Sequence, residues 1–289
     1  MPELPEVEVV KRSLVDKIQN SIVKAVKIND GRLRYRVDKN KIKKIIGLRI
    51  KKISRRSKFL LFFFNNKTVM IVHLGMTGKF FFINQKNTKY KTSFYYDINE
   101  DKDKRHDRVI FNLSKNRKLI YNDVRKFGFI KFDQIKNIDQ NLHLKNLGPE
   151  PLKKNFNFSY FKKYIINKNR TIKDILMDQK FISGLGNIYV NETLFFSGIK
   201  PTKKVKNLSD SEIRQIIKFT KKILSKAITL GGSSIKNFSS DNGKKGSFQE
   251  YFSVYGKKGD KCSKKSCDSD IIKIVISNRA TFYCNKCQK

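Results

Sequence analysis

The chain has 289 residues, enough for two domains that each bury a core, and its 39% hydrophobic content with 23 phenylalanines excludes a disordered polymer. Sixty-four Lys and Arg against 25 Asp and Glu give a net charge of +39, a surface that attracts polyanions, of which nucleic acid is the commonest; lysine spread along the whole length also fits a drift in composition. No run reaches the roughly 18 apolar residues of a membrane span, and an opening that carries Glu3, Glu6 and Glu8 lacks the basic and apolar regions of a signal peptide, so the expectation is a cytoplasmic protein with no membrane partner and reduced cysteines.

In chain order, residues 3–19 read as a helix, with Val7, Val10, Leu14 and Ile18 on one face. From Ser21 to about Asp133 short runs rich in Val, Ile, Phe and Tyr follow: Ile22–Ile28, Phe59–Phe64, Val69–His73, Lys79–Ile83, Val109–Leu113 and Phe127–Phe132. Gly, Asn and Asp punctuate them, as in an antiparallel sandwich or barrel. The polar stretch Asn84–Arg108 reads as a long hairpin or loop with a strand at Thr92–Ile98. Residues 134–158, ending in Gly148-Pro149-Glu150-Pro151, read as a linker. Helical periods return at Asn187–Phe196 and Ser209–Leu230. The second of these opens on a capping box, Ser209 and Glu212, closes on Gly231-Gly232, and buries Ile213, Ile216, Ile217, Ile223, Leu224 and Ile228. Residues 231–247 are rich in Gly and Ser and read as a loop. The expected fold class is α+β and multidomain: 1–133 a β-sandwich domain with its amino-terminal helix, 134–158 a linker, 159–247 a helical domain with its loop, and 248–289 a cysteine-bearing tail.

All four cysteines fall in that tail, as Cys262-x4-Cys267 and, sixteen residues later, Cys284-x2-Cys287. Two close pairs separated by a hairpin's length bring four thiolates within tetrahedral reach of one Zn²⁺. Between them Ile271–Ile276 and Ala280–Tyr283 read as strands joined by Ser277-Asn278-Arg279, which makes the tail a zinc ribbon with one structural Zn²⁺. So small a tail has little apolar area of its own, and metal binding should supply its folding energy. Arg279 at the tip suits phosphate contact, or is a solvated turn residue.

At the other end, Pro2 follows Met1, and a small second residue favours removal of the initiator. The exposed secondary amine would be partly neutral near its ordinary pKa of about 8. Its attack on an aldehyde-level carbon gives an iminium that cannot relax to a neutral imine, and so acts as an electron sink. Glu3 lies beside it as a general acid or base. The plain alternative is that Pro2-Glu3 only start a helix.

The opening Met1-Pro2-Glu3-Leu4-Pro5-Glu6-Val7-Glu8 resembles that of the formamidopyrimidine-DNA glycosylases, which act on oxidised purines. Further blocks resemble the family in the family's order: Ser54–Leu61, His73–Gly78, Asp123–Gly128, Leu147–Pro151, Gly184–Tyr189 and Asn278–Cys287. The resemblance implies an amino-terminal helix-flanked β-sandwich, a helix-two-turn-helix domain and a carboxy-terminal zinc ribbon, with damaged double-stranded DNA between the domains and a monomeric protein. It implies that Pro2 attacks C1′ of the damaged nucleoside with Glu3 as proton donor, and that Lys58 and Arg279 are proton donors for β- and δ-elimination. Lys58, Arg279 and Asn187 would grip phosphates. Met76, Arg125 and Phe127 match residues that fill the hole left by an everted base, and His73, His106 and Lys168 match DNA-contacting positions. The loop at 231–247 matches the family's damage-recognition loop. Three departures stand out: Val124 replaces a usual proline before Arg125, Asn87–Arg108 is longer and richer in lysine, and Asn169 stands where a basic residue is common. The rival readings are an endonuclease VIII-like enzyme for oxidised pyrimidines, a non-catalytic zinc-ribbon DNA-binding protein and a lysine-rich RNA-binding protein. Leu4 after Glu3 and the long loop before the ribbon favour the purine enzyme.

Overall fold

In a computed structural model, which describes residues 1–84, 89–91, 104–233 and 248–289, the chain divides into two units. One is Met1–Lys145 with the segment that begins at Gly231; the other is Asn146–Leu230 with Ser247–Lys289. The strand expected at Thr92–Ile98 and the loop beyond Ser233 lie outside the described residues.

The first unit opens with α1 (Leu4–Ile18), capped at Glu3 and with Pro5 in its first turn. Proline is tolerated there because the first helical N–H groups have no partner within the helix. Its apolar face, Leu4, Val7, Val10, Leu14 and Ile18, is buried. Next come β1 (Val23–Ile28), the short α2 (Lys39–Lys43), β2 (Ile50–Arg56), β3 (Phe59–Phe64), β4 (Thr68–His73), β5 (Lys79–Ile83), β6 (Lys89–Lys91), β7 (Asp107–Leu113), β8 (Arg117–Asn122) and β9 (Phe129–Gln134). They make two antiparallel sheets, ordered β1-β7-β8-β5-β6 and β2-β3-β4-β9. Phe62, Val72 and Ile130 of one sheet share a core with Phe80, Phe111 and Tyr121 of the other. This is a β-sandwich. Each fully buried side chain of that size contributes about 1.5–3 kcal/mol.

Three strands were not read from the sequence: β2, β8 and the three-residue β6, which lies within the stretch read as a long hairpin or loop. In β2 only Ile50 and Ile53 are buried, and a register shift after Ile50 breaks the alternation. In β8 the first two residues are cations, joined to β7 by a turn whose Lys115 and Asn116 have φ of 59° and 47° without a glycine. The run expected from Phe127 begins at Phe129 instead, because Phe127 is 45% exposed and belongs to the preceding loop.

The second unit holds α3 (Phe158–Ile165), α4 (Ile172–Met177), α5 (Asn187–Ser197) and α6 (Asp210–Thr229). The capping box on α6 is present, and its buried face is close to that expected, with Thr220 and Ala227 added and Ile217 only partly buried. Helix α5 is buried from Ile188 to Phe195, and its polar residues Asn191 and Glu192 therefore need internal partners. The tail supplies them. Asn191 Oδ1 accepts from Phe282 N at 2.8 Å, and the Glu192 carboxylate accepts from the N–H groups of Ser253, Val254 and Tyr255 at 2.9–3.0 Å. Strands β10 (Ile271–Ile276) and β11 (Arg279–Cys284) form the ribbon, and Phe195 of α5 shares an apolar cluster with Val254, Ile271 and Phe282. The tail thus leans on α5 as well as on its cysteines.

Candidate functional site

The chain start is held by the helix it opens. Glu6, one turn into α1, accepts from Glu3 N through Oε2 at 2.8 Å, and through Oε1 from Ser233 N at 2.9 Å and Ser233 Oγ at 3.1 Å. Glu6, the third helical residue and Glu3's partner in the capping box, therefore also fastens Ser233, near the beginning of the glycine-rich segment. Pro2 and Glu3 are buried. The α-amino group, carried here by Met1, lies below its ordinary pKa: burial lowers it, Glu3 and Glu6 oppose, and the charges of Lys58 and Arg125 add to the lowering. The structure thus gathers Glu3, Lys58 and Arg125 around the amine, three of the residues singled out in the sequence.

Lys58 sits on the turn between β2 and β3, 7% exposed. His73, at the end of β4, accepts from Gly75 N through Nδ1 at 3.0 Å, and its ring stacks on Phe129 with centroids 5.5 Å apart. Burial, and then the charge of Lys58, push its pKa down to about 4. It is therefore neutral at pH 7 with its proton on Nε2, a hydrogen-bond donor rather than a cation.

Loops 74–78 and 123–128 adjoin. A Cβ on Gly75 would strike the backbone of Phe127 and Gly128, and one on Gly128 would fall on the Tyr121 hydroxyl. Fully buried Asp123 organises both loops. Its Oδ1 accepts from Thr77 Oγ1 and its Oδ2 from Gly128 N at 2.8 Å, while Thr77 Oγ1 accepts from Arg125 N at 3.0 Å. Buried Arg108 donates to the carbonyl of Asp123 at 2.8 Å and meets His106 Nδ1 at 3.1 Å. Val124, in place of proline, loses a fixed φ, but these bonds restrain the loop on either side of it. On this support Met76, Val124 and Phe127 are 39%, 42% and 45% exposed, and the Arg125 guanidinium lies 4.7 Å over the Phe127 ring. Exposed apolar tips on a rigid polar base are able to insert between bases. His106 belongs to the support.

In the second unit, Asn187 is the first residue of α5, and its Nδ2 donates to the carbonyl of Ala280 at 2.8 Å. Lys173, which the sequence reading passed over, donates from below to the same carbonyl at 3.2 Å and to Thr281 Oγ1 at 2.6 Å. Burial, and then the neighbouring charge of Arg279, bring the Lys173 pKa down to about 7, against the pull of Asp174. Its sequence signal was a lysine directly after Ile172 within the apolar pattern of α4. Asp174 Oδ1 accepts from Ser277 Oγ at 2.7 Å. The turn between β10 and β11 is Ser277-Asn278, both with positive φ, and exposed Arg279 is the first residue of β11 rather than part of the turn. A cleft of about 510 Å³ opens beside Arg279, between α4 and this turn. Lys168 is half-buried with Nζ 4.6 Å over the Tyr164 ring.

The four cysteine sulfurs all lie within 4.8 Å of one another, with Cys262–Cys287 at 3.8 Å and Cys267–Cys284 at 3.6 Å. A tetrahedral ion with Zn–S bonds of about 2.3 Å spans sulfur–sulfur edges of about 3.8 Å, so the cluster fits zinc. No described helix is long and apolar enough to cross a membrane.

Comparison with known proteins follows the same division. Residues 1–130 match the family model of the formamidopyrimidine-DNA glycosylase N-terminal domain, and residues 147–239 that of the formamidopyrimidine-DNA glycosylase H2TH domain. The chain is 41% identical to the formamidopyrimidine-DNA glycosylase of Rickettsia bellii, with all of both chains covered, and 40% identical to that of Rickettsia felis over all of this chain and 98% of the relative. Among solved structures it is similar to the Lactococcus lactis Fpg in complex with abasic-site DNA, with a TM-score of 0.84, 34% identity and 99% of each chain covered. The same protein in complex with DNA containing an N7-benzyl-Fapy-dG also matches, with a TM-score of 0.84, 34% identity and all of both chains covered.

Proposed function

Because the chain belongs to the formamidopyrimidine-DNA glycosylase family, we propose that it is a base-excision repair enzyme that removes oxidised purines from double-stranded DNA and then nicks the strand, with Pro2 as its nucleophile. After Met1 is removed, the Pro2 nitrogen gives its electron pair to C1′. The glycosidic bond breaks with its pair leaving on the base, which takes up a proton; the Pro2 nitrogen then loses its own proton and its pair expels O4′ from C1′, opening the sugar ring, with Glu3 supplying the proton that O4′ gains. The resulting iminium draws electrons from C2′. Loss of a C2′ proton then expels the 3′ phosphate, and a second elimination expels the 5′ phosphate. Lys58 and Arg279 serve as proton donors to these departures, their cations holding the phosphates. Asn187, Lys168 and the Nε2–H of His73 add phosphate contacts. His106, which meets Arg108 in the support of loops 74–78 and 123–128, adds a further DNA contact. Met76 and Phe127 fill the space of the everted base while Arg125 pairs with the base left opposite, offsetting an unstacking cost of a few kcal/mol.

One Zn²⁺ would be held by Cys262, Cys267, Cys284 and Cys287. Four thiolates leave no open coordination position, so the ion supplies folding energy to the ribbon that carries Arg279.

The observation that carries this reading is the burial of Pro2 and Glu3 at the chain start, with Lys58 and Arg125 close enough for their charges to act on the amine that Met1 carries there. The test is borohydride trapping on a duplex holding 8-oxoguanine opposite cytosine, followed by mass mapping of the adduct. The expected result is a crosslink at Pro2 and loss of nicking in protein that retains Met1. A crosslink on a lysine side chain would overturn the reading, and cleavage of thymine glycol alone would overturn the purine assignment.

A further inference from the structure

We propose that Arg55 is a positioning residue for Lys58, a strut that fixes the β2–β3 turn to the helix carrying the chain start; this rests on the role given to Lys58 above. Arg55 is the penultimate residue of β2, with a side chain only 10% exposed. Its guanidinium faces two ways. Nε donates to Glu8 Oε2 on α1 at 3.0 Å, and Nη1 donates to the carbonyl of Ser57 at 2.8 Å. That carbonyl belongs to the peptide unit whose nitrogen is Lys58's own, so holding it orients the plane from which the Lys58 side chain departs.

The turn needs such a hold. Ser57 is buried and has φ of +55°, a left-handed conformation that costs a residue with a Cβ about 1–2 kcal/mol. Such a backbone persists only where its surroundings impose it. Glu8 is a firm anchor on the other side. Burial alone would raise its pKa, but hydrogen bonds from Lys11 and Arg55 outweigh that and hold it below the ordinary carboxylate value. Because α1 begins at Leu4, two residues after Pro2, and Glu8 lies in its second turn, the strut sets the spacing between the chain start and Lys58.

Energetics favour a positional role over a stabilising one. A largely buried ion pair recovers little more than its desolvation cost, so stability alone is a weak reason for an arginine here. The planar guanidinium does what a lysine cannot, since one ammonium on a flexible stem does not satisfy two fixed acceptors in fixed directions. Arg12 provides the contrast. It also pairs with Glu8, at 3.1 Å, but is 62% exposed, and none of its hydrogen bonds seen here reaches the turn.

The experiment uses the full-length zinc-loaded protein and one substrate, a duplex with a preformed abasic site. Two single-turnover rates are read: borohydride adduct formation and strand nicking. In Arg55→Lys, nicking is expected to fall about tenfold or more while adduct formation falls less than about threefold, since a displacement near 1 Å is enough for losses of that order. Glu8→Gln should shift the same ratio in the same direction by a smaller factor, and Arg12→Gln should shift neither rate. A parental ratio in Arg55→Lys, or both rates falling by one factor in step with the folded fraction, would overturn the strut. Should Arg55→Lys not fold, the ratio in near-isosteric Glu8→Gln decides in the same way. Lys58→Ala is run alongside: a parental ratio there faults the role of Lys58 and the strut with it, whereas a parental ratio in Arg55→Lys and Glu8→Gln alone faults only the strut.

Discussion

The loop pair 74–78 and 123–128 and the hairpin around Ser277-Asn278 present exposed side chains on opposite kinds of support. The loops rest on a buried carboxylate. Asp123 takes the hydroxyls of Thr77 and Tyr121 and one backbone N–H, and its own carbonyl is held by Arg108, so the exposed Met76 and Phe127 stand on a base held by side-chain and backbone hydrogen bonds. The hairpin rests on a cysteine cluster at one end and, near its tip, on amide and ammonium donors from α5 and α4 that converge on the Ala280 carbonyl. A long apolar side chain can be aimed by polar groups that cost little apolar area. A small ribbon has little apolar area of its own and leans on its cysteine cluster and on a neighbouring helix.

Removing the metal should break the comparison most. Structural zinc contributes on the order of 10 kcal/mol to small ribbons, so chelation should abolish near-ultraviolet signals from the ribbon tyrosine Tyr283 and release one zinc per chain, while the first unit still melts cooperatively. Retained DNA affinity after verified zinc loss would count against the ribbon's part in binding. The next largest effect is expected from Asp123→Ala, which leaves Thr77 and the N–H of Gly128 without their acceptor. The expected destabilisation is about 3–4 kcal/mol, measured by urea unfolding, and a value under about 1 kcal/mol would show that the loops are held by other means. Smallest is Asp174→Ala, which removes the hydrogen bonds that its carboxylate accepts from the exposed turn residue Ser277 and from Thr171 Oγ1 at the start of α4. It should cost about 1–2 kcal/mol and alter the ratio of δ- to β-elimination products. An unchanged ratio would mean that Lys173 and Asn187 suffice to aim the tip.

The parts of this arrangement that were legible in the sequence are those with a periodic or spaced signal. The face of α1, the core strands β3 to β5, the capping box of α6 and the cysteine pairs could all be read that way. What escaped was structure held by single polar residues or hidden by cations. Strand β2 carries Lys51, Lys52, Arg55 and Arg56, and only Ile50 and Ile53 point inward. Helix α3 buries only Phe161 and Ile165. Asp123 and Lys173 are fully or nearly fully buried, yet in the sequence they look like ordinary surface charges. Their partners lie far off in the chain, with Lys173 and Thr281 separated by 108 positions, and no local pattern reports a contact of that kind. Phe127 failed in the opposite sense: it looks like the first residue of a strand, and only the resemblance to a family marked it as an exposed tip.

The exposed side chains of Met76, Val124 and Phe127 on adjoining loops have a colloidal consequence. A greasy cluster on a protein surface invites two copies to meet tip to tip, and the net charge of +39 opposes that encounter by mutual repulsion. The repulsion reaches only about 8 Å at physiological ionic strength and about 3 Å in molar salt. Concentrated brine therefore removes the safeguard while strengthening the attraction between tips, and a dilute buffer is the condition that keeps this molecule dispersed.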